Sequence, residues 1–285
     1  MTHVYACIDG HANTPATIDW GIWAAQRLPA PLELLHVLER PPELPNVGDY
    51  TGTIGLGAQE VLLQQLSALD EQRGKLAQQA GREMLDAAIL RVQSAGLAAP
   101  ATHMRHGELV DTLLEFEPDL RLCVVGANHR ASTVRKLHLD HHVERVIRAL
   151  QRPVLVATQE KFVAPERFVV AYDASDTARK MVDTVAASPL LRGLPALLAM
   201  AGADTELARE QLRAAAELLR VAGFQVETAL LPGEPEQVLP QLVASQNASL
   251  LVMGAYGHSR IRQLIVGSTT TTLLRVSEAP VLILR

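Results

Sequence analysis

The feature that most constrains this chain is that it is written twice. VYACIDGHANTPATIDWGIWAA (4–25) lies over FVVAYDASDTARKMVDTVAAS (168–188); each is a short apolar run closed by an aspartate, then a polar turn, then a segment of helical period. Asp9 and Asp173 coincide. In the same order, LELLHVLE (32–39) matches ALLAMAGA (196–203), and ATHMRHGELVDTLLEF (101–116) matches ETALLPGEPEQVLPQL (227–242), aligning Gly107 with Gly233. RLCVVGANHR (121–130) then matches SLLVMGAYGH (249–258), and RPVLVAT (152–158) matches APVLILR (279–285). Five strand candidates therefore recur in each half, and repetition at this scale fixes the architecture before any single residue does.

Between the strand candidates lie helical stretches, clearest in ELAREQLRAAAELLRVAG (206–223), where apolar residues form one stripe and Gly223 marks a stop. Strand followed by helix, repeated, gives an α/β fold: two tandem doubly wound parallel sheets with helices on both faces. Continuous apolar runs such as LLVMG and VLIL suit strands buried on both sides. The expected domains are 1–158 and 167–285, joined by the polar linker 159–166. The first half carries an additional segment, about 41–75, leading into a leucine-patterned helix. Its plain reading is a loop and a lengthened helix covering the sheet, and the alternative is a lid or partner-docking surface.

Composition narrows the function classes. The net charge of −5 comes with no basic cluster, which argues against a nucleic-acid partner. Nothing approaches the roughly 18 apolar residues of a membrane span, and the opening MTHVYACIDG lacks a signal peptide's charged and apolar regions. A cytoplasmic protein is expected. Cys7 and Cys123 lie in separate apolar runs and read as buried free thiols rather than a disulfide framework or zinc site.

In a doubly wound sheet, ligands sit beyond the carboxyl ends of strands, where strand order reverses. Asp173 ends the first strand of the second half, and Gly254 ends its fourth. From there the spacing is Gly254-x2-Gly257-x9-Gly267-Ser268, followed by Thr269 to Thr272. Glycines let backbone approach a bulky anion, and N–H groups in such turns and at helix starts cradle it. Ser268 and Thr269 suit a helix start and a phosphate contact. Thr270, Thr271 and Thr272 have no such role and read as half-buried helix residues.

This spacing resembles the nucleotide-binding members of the universal stress protein family, whose motif is G-x2-G-x9-G-[S/T] after the fourth strand. The resemblance covers nearly the whole chain as two copies and includes the aspartate after strand one. It implies an adenine nucleotide alpha hydrolase-like fold, strand order 3-2-1-4-5 in each half, with the fifth strands paired antiparallel into an intrachain pseudo-dimer. It implies ATP or a related adenine nucleotide, with or without Mg²⁺, between strands one and four of the second half. Ala171, Tyr172 and Asp173 would then form the adenine and ribose end, with Met200 closing the second-strand side. Met253, Gly254, Gly257, Gly267, Ser268 and Thr269 would hold ribose and phosphates. Arg260 and Arg262 would screen phosphate charge, or be merely solvated loop residues.

The first half departs from the pattern. It keeps Asp9 and Gly126, but His129 replaces the second glycine and LHLDHH replaces the Gly-Ser pair, with Asp140 set to repel phosphate. No ATP is expected there; a structural or partner-facing role is. Nine of the ten histidines lie in this half, including His103, His106, His138, His141 and His142, and they read as surface or weakly packed rather than metal-ligating. The chain lacks a P-loop, a dinucleotide fingerprint and a nucleophile elbow. Three functions stay open: a nucleotide-binding stress-response sensor working through a protein partner, a slow ATPase or protein autophosphorylated on Ser268 or Thr269, and a nucleotide-free scaffold. Whether two chains associate as a homodimer is also open.

Overall fold

The computed structural model describes residues 2–39, 56–127, 141–246, 250–254 and 268–285, with 56–63, 141, 268 and 269 described by backbone alone. The first half runs β1 (His3–Cys7), α1 (Thr14–Arg27), β2 (Leu32–Leu38), α2 (Leu56–Ser94), β3 (Ala101–His106), α3 (Leu109–Phe116), β4 (Leu120–Gly126), α4 (His141–Ala149) and β5 (Val154–Ala157). The second runs β6 (Phe168–Ala171), α5 (Asp176–Ala187), β7 (Ala196–Ala201), α6 (Glu206–Val221), β8 (Val226–Leu231), α7 (Pro235–Ser245), β9 (Leu250–Gly254), α8 (Ser268–Val276) and β10 (Val281–Leu284). All ten strands form one sheet in the order β3-β2-β1-β4-β5-β10-β9-β6-β7-β8. Each half therefore has the order 3-2-1-4-5. Within each half the pairings are parallel, while β5 and β10 run antiparallel, with Val281 opposite Val156 and Ile283 opposite Val154. The expected intrachain pseudo-dimer is thus built by joining the two fifth strands.

The strands read as unbroken apolar runs because both faces of the sheet are covered. Val4 and Ala6 of β1 point into a core that includes Trp20 of α1, Leu85 of α2, Met181 of α5 and Leu212 of α6. Tyr5 and Cys7, half a period out of step, point into the opposite core with Leu113 of α3, Val146 of α4, Leu239 of α7 and Leu273 of α8. Thr205 Oγ1 accepts a hydrogen bond from the N–H of Ala208 and caps α6, and Gly223, at φ +92°, ends it in the left-handed region.

Contacts beyond the sheet also tie the first half to the linker and to the second half. The Trp20 ring meets Phe162 edge-on with centroids 4.9 Å apart, and Arg27 donates to the carbonyls of Leu190, at 2.5 Å, and Arg192. Thr158 Oγ1 donates to the carbonyl of Glu278, and Arg285 donates to those of Ile147 and Arg148.

Three details differ from the sequence reading. The lengthened helix α2 buries side chains against the sheet from Gly81 onward; before it, nearly every described side chain from 64 to 80 is exposed, with Gln78 reaching His106 of β3 at 3.3 Å, so most of this part does not cover the sheet. Cys7 and Cys123 are buried free thiols as expected, but they are not isolated: their Sγ atoms lie 3.8 Å apart on adjacent strands. That contact, with burial, pushes the Cys123 thiol well above its ordinary pKa. His103, read as surface or weakly packed, is part-buried on β3, where its Nε2 is 2.7 Å from Glu33, whose other carboxylate oxygen is 3.5 Å from His3.

Candidate functional site

Strand order reverses twice in this sheet, between β1 and β4 and between β6 and β9. At the second point Ala171 of β6 lies opposite Met253 of β9 on one side and Ala199 of β7 on the other. The chain leaves β6 toward α5 and β7, while β9 pairs on its far side with β10. In doubly wound sheets such a divergence opens a crevice at the carboxyl ends of the strands.

Its first wall is built by the turn from β6 to α5. The Tyr172 N–H continues the ladder by donating to the carbonyl of Ala199 at 2.8 Å. Asp173 is exposed, and its Oδ1 accepts the N–H of Ser175 at 3.0 Å, which folds the turn over the side chain. Ala174 then adopts φ +57°, and Ser175 Oγ caps α5 by accepting the N–H of Ala178. Tyr172 is buried in the core beside Met200, and burial pushes its phenol above the ordinary pKa against the opposing Arg179 guanidinium. Met200 on β7 and Met253 on β9 are also buried, next to partly exposed Ala171 and Gly254.

Six of the named residues, Ala171, Tyr172, Asp173, Met200, Met253 and Gly254, therefore converge at one end of adjacent strands. Ser268 and Thr269 open α8, the helix that returns to β10, as the expectation of a helix start required. Thr270 is buried, and Thr271 and Thr272 are partly so. Gly257, Arg260, Arg262 and Gly267 lie outside the described residues.

Sequence reasoning missed one job of Gly254. A Cβ built there would stand 3.2 Å from Thr177 Cγ2 in the first turn of α5. Its counterpart Gly126 is tighter still, with Thr17 Oγ1 at 2.9 Å and Asn13 Cβ at 3.2 Å from an added Cβ. The glycine after the fourth strand thus lets a helix approach the sheet in both halves, including the half without the rest of the motif. The only signal was its retention in both copies.

At the first reversal point the structure holds a cavity of about 210 Å³, beyond the ends of β1 and β4. Cys7, Leu35, Val125 and Val146 supply apolar lining, and Asp9, His11, His36, Glu39 and His142 supply the polar groups. Asp9 Oδ1 accepts from the His11 N–H and from Thr14 Oγ1, and His142 Nδ1 is 3.3 Å from Glu39. Among the described lining residues there are two carboxylates and no lysine or arginine, a set that disfavours a phosphate. His129, His138 and Asp140 lie outside the described residues. No group of three or more His, Cys, Asp or Glu suited to a metal occurs among the described residues. No helix among them is long and apolar enough to cross a membrane.

Comparison with known proteins agrees with this architecture. The model of the universal stress protein family matches twice, over residues 1–158 and 165–285. The chain is 32% identical over 288 residues, all of both chains, to universal stress protein Slr1230 of Synechocystis sp.. Among solved structures it resembles a universal stress protein from Archaeoglobus fulgidus, with a TM-score of 0.74 and 19% identity over 99% of this chain and 98% of that one. A Pseudomonas aeruginosa PAO1 protein described as functionally unknown aligns over 100% of this chain and 92% of its own, with a TM-score of 0.63 and 14% identity. The duplicated sheet, the paired fifth strands and two family matches spanning both halves lead to one conclusion: this chain belongs to the universal stress protein family.

Proposed function

We propose that the second half binds ATP or a related adenine nucleotide in the crevice between β6 and β9, and that occupancy regulates a protein partner during a stress response. The observation that carries this reading is the convergence of Ala171, Tyr172, Asp173, Met200, Met253 and Gly254 at the strand ends from which the glycine motif departs. Asp173, exposed at the end of β6, offers an acceptor to a ribose hydroxyl, while Met200 and Met253 are packed into the cores on opposite faces of the sheet and form the floor of the strand ends on each side. Gly257, Gly267, Ser268 and Thr269 supply the phosphate-binding backbone and hydroxyls in this reading, with Arg260 adding positive charge. A regulatory rather than fast catalytic role follows from Asp173 being the one carboxylate among the named site residues. Phosphoryl transfer calls for a metal site and a positioned base besides.

The test is calorimetry of the purified chain with ATP, alone and with Mg²⁺, beside Gly257→Ala and Gly267→Ala. Binding by the parent chain and its loss in both variants, with unchanged circular dichroism, is the expected result. Unaltered affinity in the variants would show that the nucleotide sits elsewhere, and no binding by the parent chain would remove the proposal. Incubation with labelled ATP separates sensor from enzyme, since turnover at an ordinary enzyme rate of about 1 s⁻¹ or more contradicts the regulatory reading.

A further inference from the structure

The long helix α2 leaves the body of the protein before it has to. Its last turns pack on the sheet, with Leu85, Ala88 and Val92 buried, and Gly81 seats the helix over His36. Over residues 64–80, about 26 Å of helix at 1.5 Å per residue, nearly every side chain is exposed, with only Leu66 and Gln78 partly covered. Leu69 is 49% exposed and Leu76 is 66% exposed. Among the described residues the contact of this stretch with the body is Gln78 Nε2, 3.3 Å from His106 Nε2 at the end of β3, so most of its helicity is not supported by apolar packing. Its own ion pairs, Glu71 with Lys75 at 2.6 Å and Asp70 with Arg73 at 3.8 Å, are solvent-exposed and add little.

The leucines of this stretch, together with Arg73 and Ala80, follow the alternating 3-and-4 spacing of a two-helix seam. Leu66, Leu69, Arg73, Leu76 and Ala80 fall on one stripe, in which Leu66, Arg73 and Ala80 take one seam position and Leu69 and Leu76 the other. We propose that this segment pairs antiparallel with the same segment of a second copy of the chain. A two-fold axis passing residue 71 sets Leu66 against Leu76 of the other copy and Leu69 against Arg73 of the other copy. The Arg73 stem covers leucine, and its guanidinium reaches Asp70 of the other copy on the same flank, twice over by symmetry. The neutral Gln65, Gln72 and Gln79 occupy the opposite flank and oppose nothing. A parallel pair would instead set Arg73 against Arg73, a like-charge clash at the seam, so the charges select the antiparallel partner. This association uses neither the sheet edge nor the proposed nucleotide crevice.

The test is sedimentation velocity of the full chain over a concentration series, with circular dichroism as the control for helix content. The parent chain is expected to show a reversible monomer–dimer equilibrium. Leu69→Glu with Leu76→Glu is expected to leave only monomer. Asp70→Arg places arginine beside Arg73 of the other copy, and Arg73→Asp places aspartate beside Asp70, so each is expected to weaken dimerisation at least tenfold. An equimolar mixture of these two variants restores opposite charges at both contacts and is expected to recover the dimer, as is a single chain carrying both exchanges. A parent chain monomeric throughout, a dimer indifferent to these substitutions, or charge variants not rescued by mixing would each overturn the proposal. The first of these would leave the face to a partner of different sequence.

Discussion

Replacing Gly254 with alanine sets a methyl group 3.2 Å from Thr177 Cγ2, where carbon atoms settle at about 3.5–4.0 Å. Thr177 cannot swing away cheaply, because its branched side chain is confined at χ1 and it sits in the first turn of α5, which packs on β9. Overpacking of this kind costs about 1–2 kcal/mol. The alanine also restricts the unfolded chain, which offsets about 0.5 kcal/mol. Gly254→Ala is therefore expected to destabilise the protein by about 1 kcal/mol. Thr177→Ser removes the offending methyl, so in that background only the favourable entropy is left and Gly254→Ala becomes neutral or slightly stabilising. Urea denaturation of the parent, both single variants and the double variant gives this coupling directly, provided the denaturant slope is constant. An equal cost in both backgrounds would refute the claim that Gly254 is held by helix contact. The result matters for the site as well: Gly257→Ala and Gly267→Ala should change nucleotide affinity without this stability signature.

Two further outcomes follow from backbone and charge. Ala174 holds φ +57° where the matching residue of the first half is Gly10 at φ +77°, so Ala174→Gly is expected to stabilise, and Gly10→Ala to destabilise, by about 0.5–1 kcal/mol in thermal or urea unfolding. The Tyr5 phenol is pushed well above its ordinary pKa by burial, then by its hydrogen bond to Glu33. The folded chain keeps this proton where the unfolded chain releases it, so stability declines as pH rises past about 10, and Tyr5→Phe should flatten that decline in urea titrations.

How far the sequence reached differs between fold and site. The duplicated order of apolar runs, with Asp9 over Asp173 and Gly107 over Gly233, was enough to infer a tandem parallel α/β sheet. Gly107 and Gly233 both adopt left-handed φ, +132° and +123°, which is why the repeat shows glycine at each. The convergence of six candidate site residues was legible too, because each ends or follows a strand, and parallel strands beside a reversal point place such residues together. The packing role of Gly254 was not legible. A glycine in a sequence shows only that a Cβ is absent, and which neighbour claims that space depends on how closely α5 approaches β9.

The same distinction runs through the rest of the molecule. By itself, the sequence determined the two-fold repetition, the antiparallel meeting of the fifth strands once the family resemblance was drawn, and the intact glycine motif in the second half alone. These are local patterns of hydrophobicity and backbone freedom, repeated along the chain. Tertiary structure alone decided that Cys7 and Cys123 touch, that Glu33 lies between His3 and His103, and that a cavity lies beyond β1 and β4. It also decided that α2 stays exposed over residues 64–80 despite its leucines. Each of these depends on the distance between segments far apart in the chain. Helical periodicity names the face that seeks burial, and only the assembled fold shows whether anything lies against it.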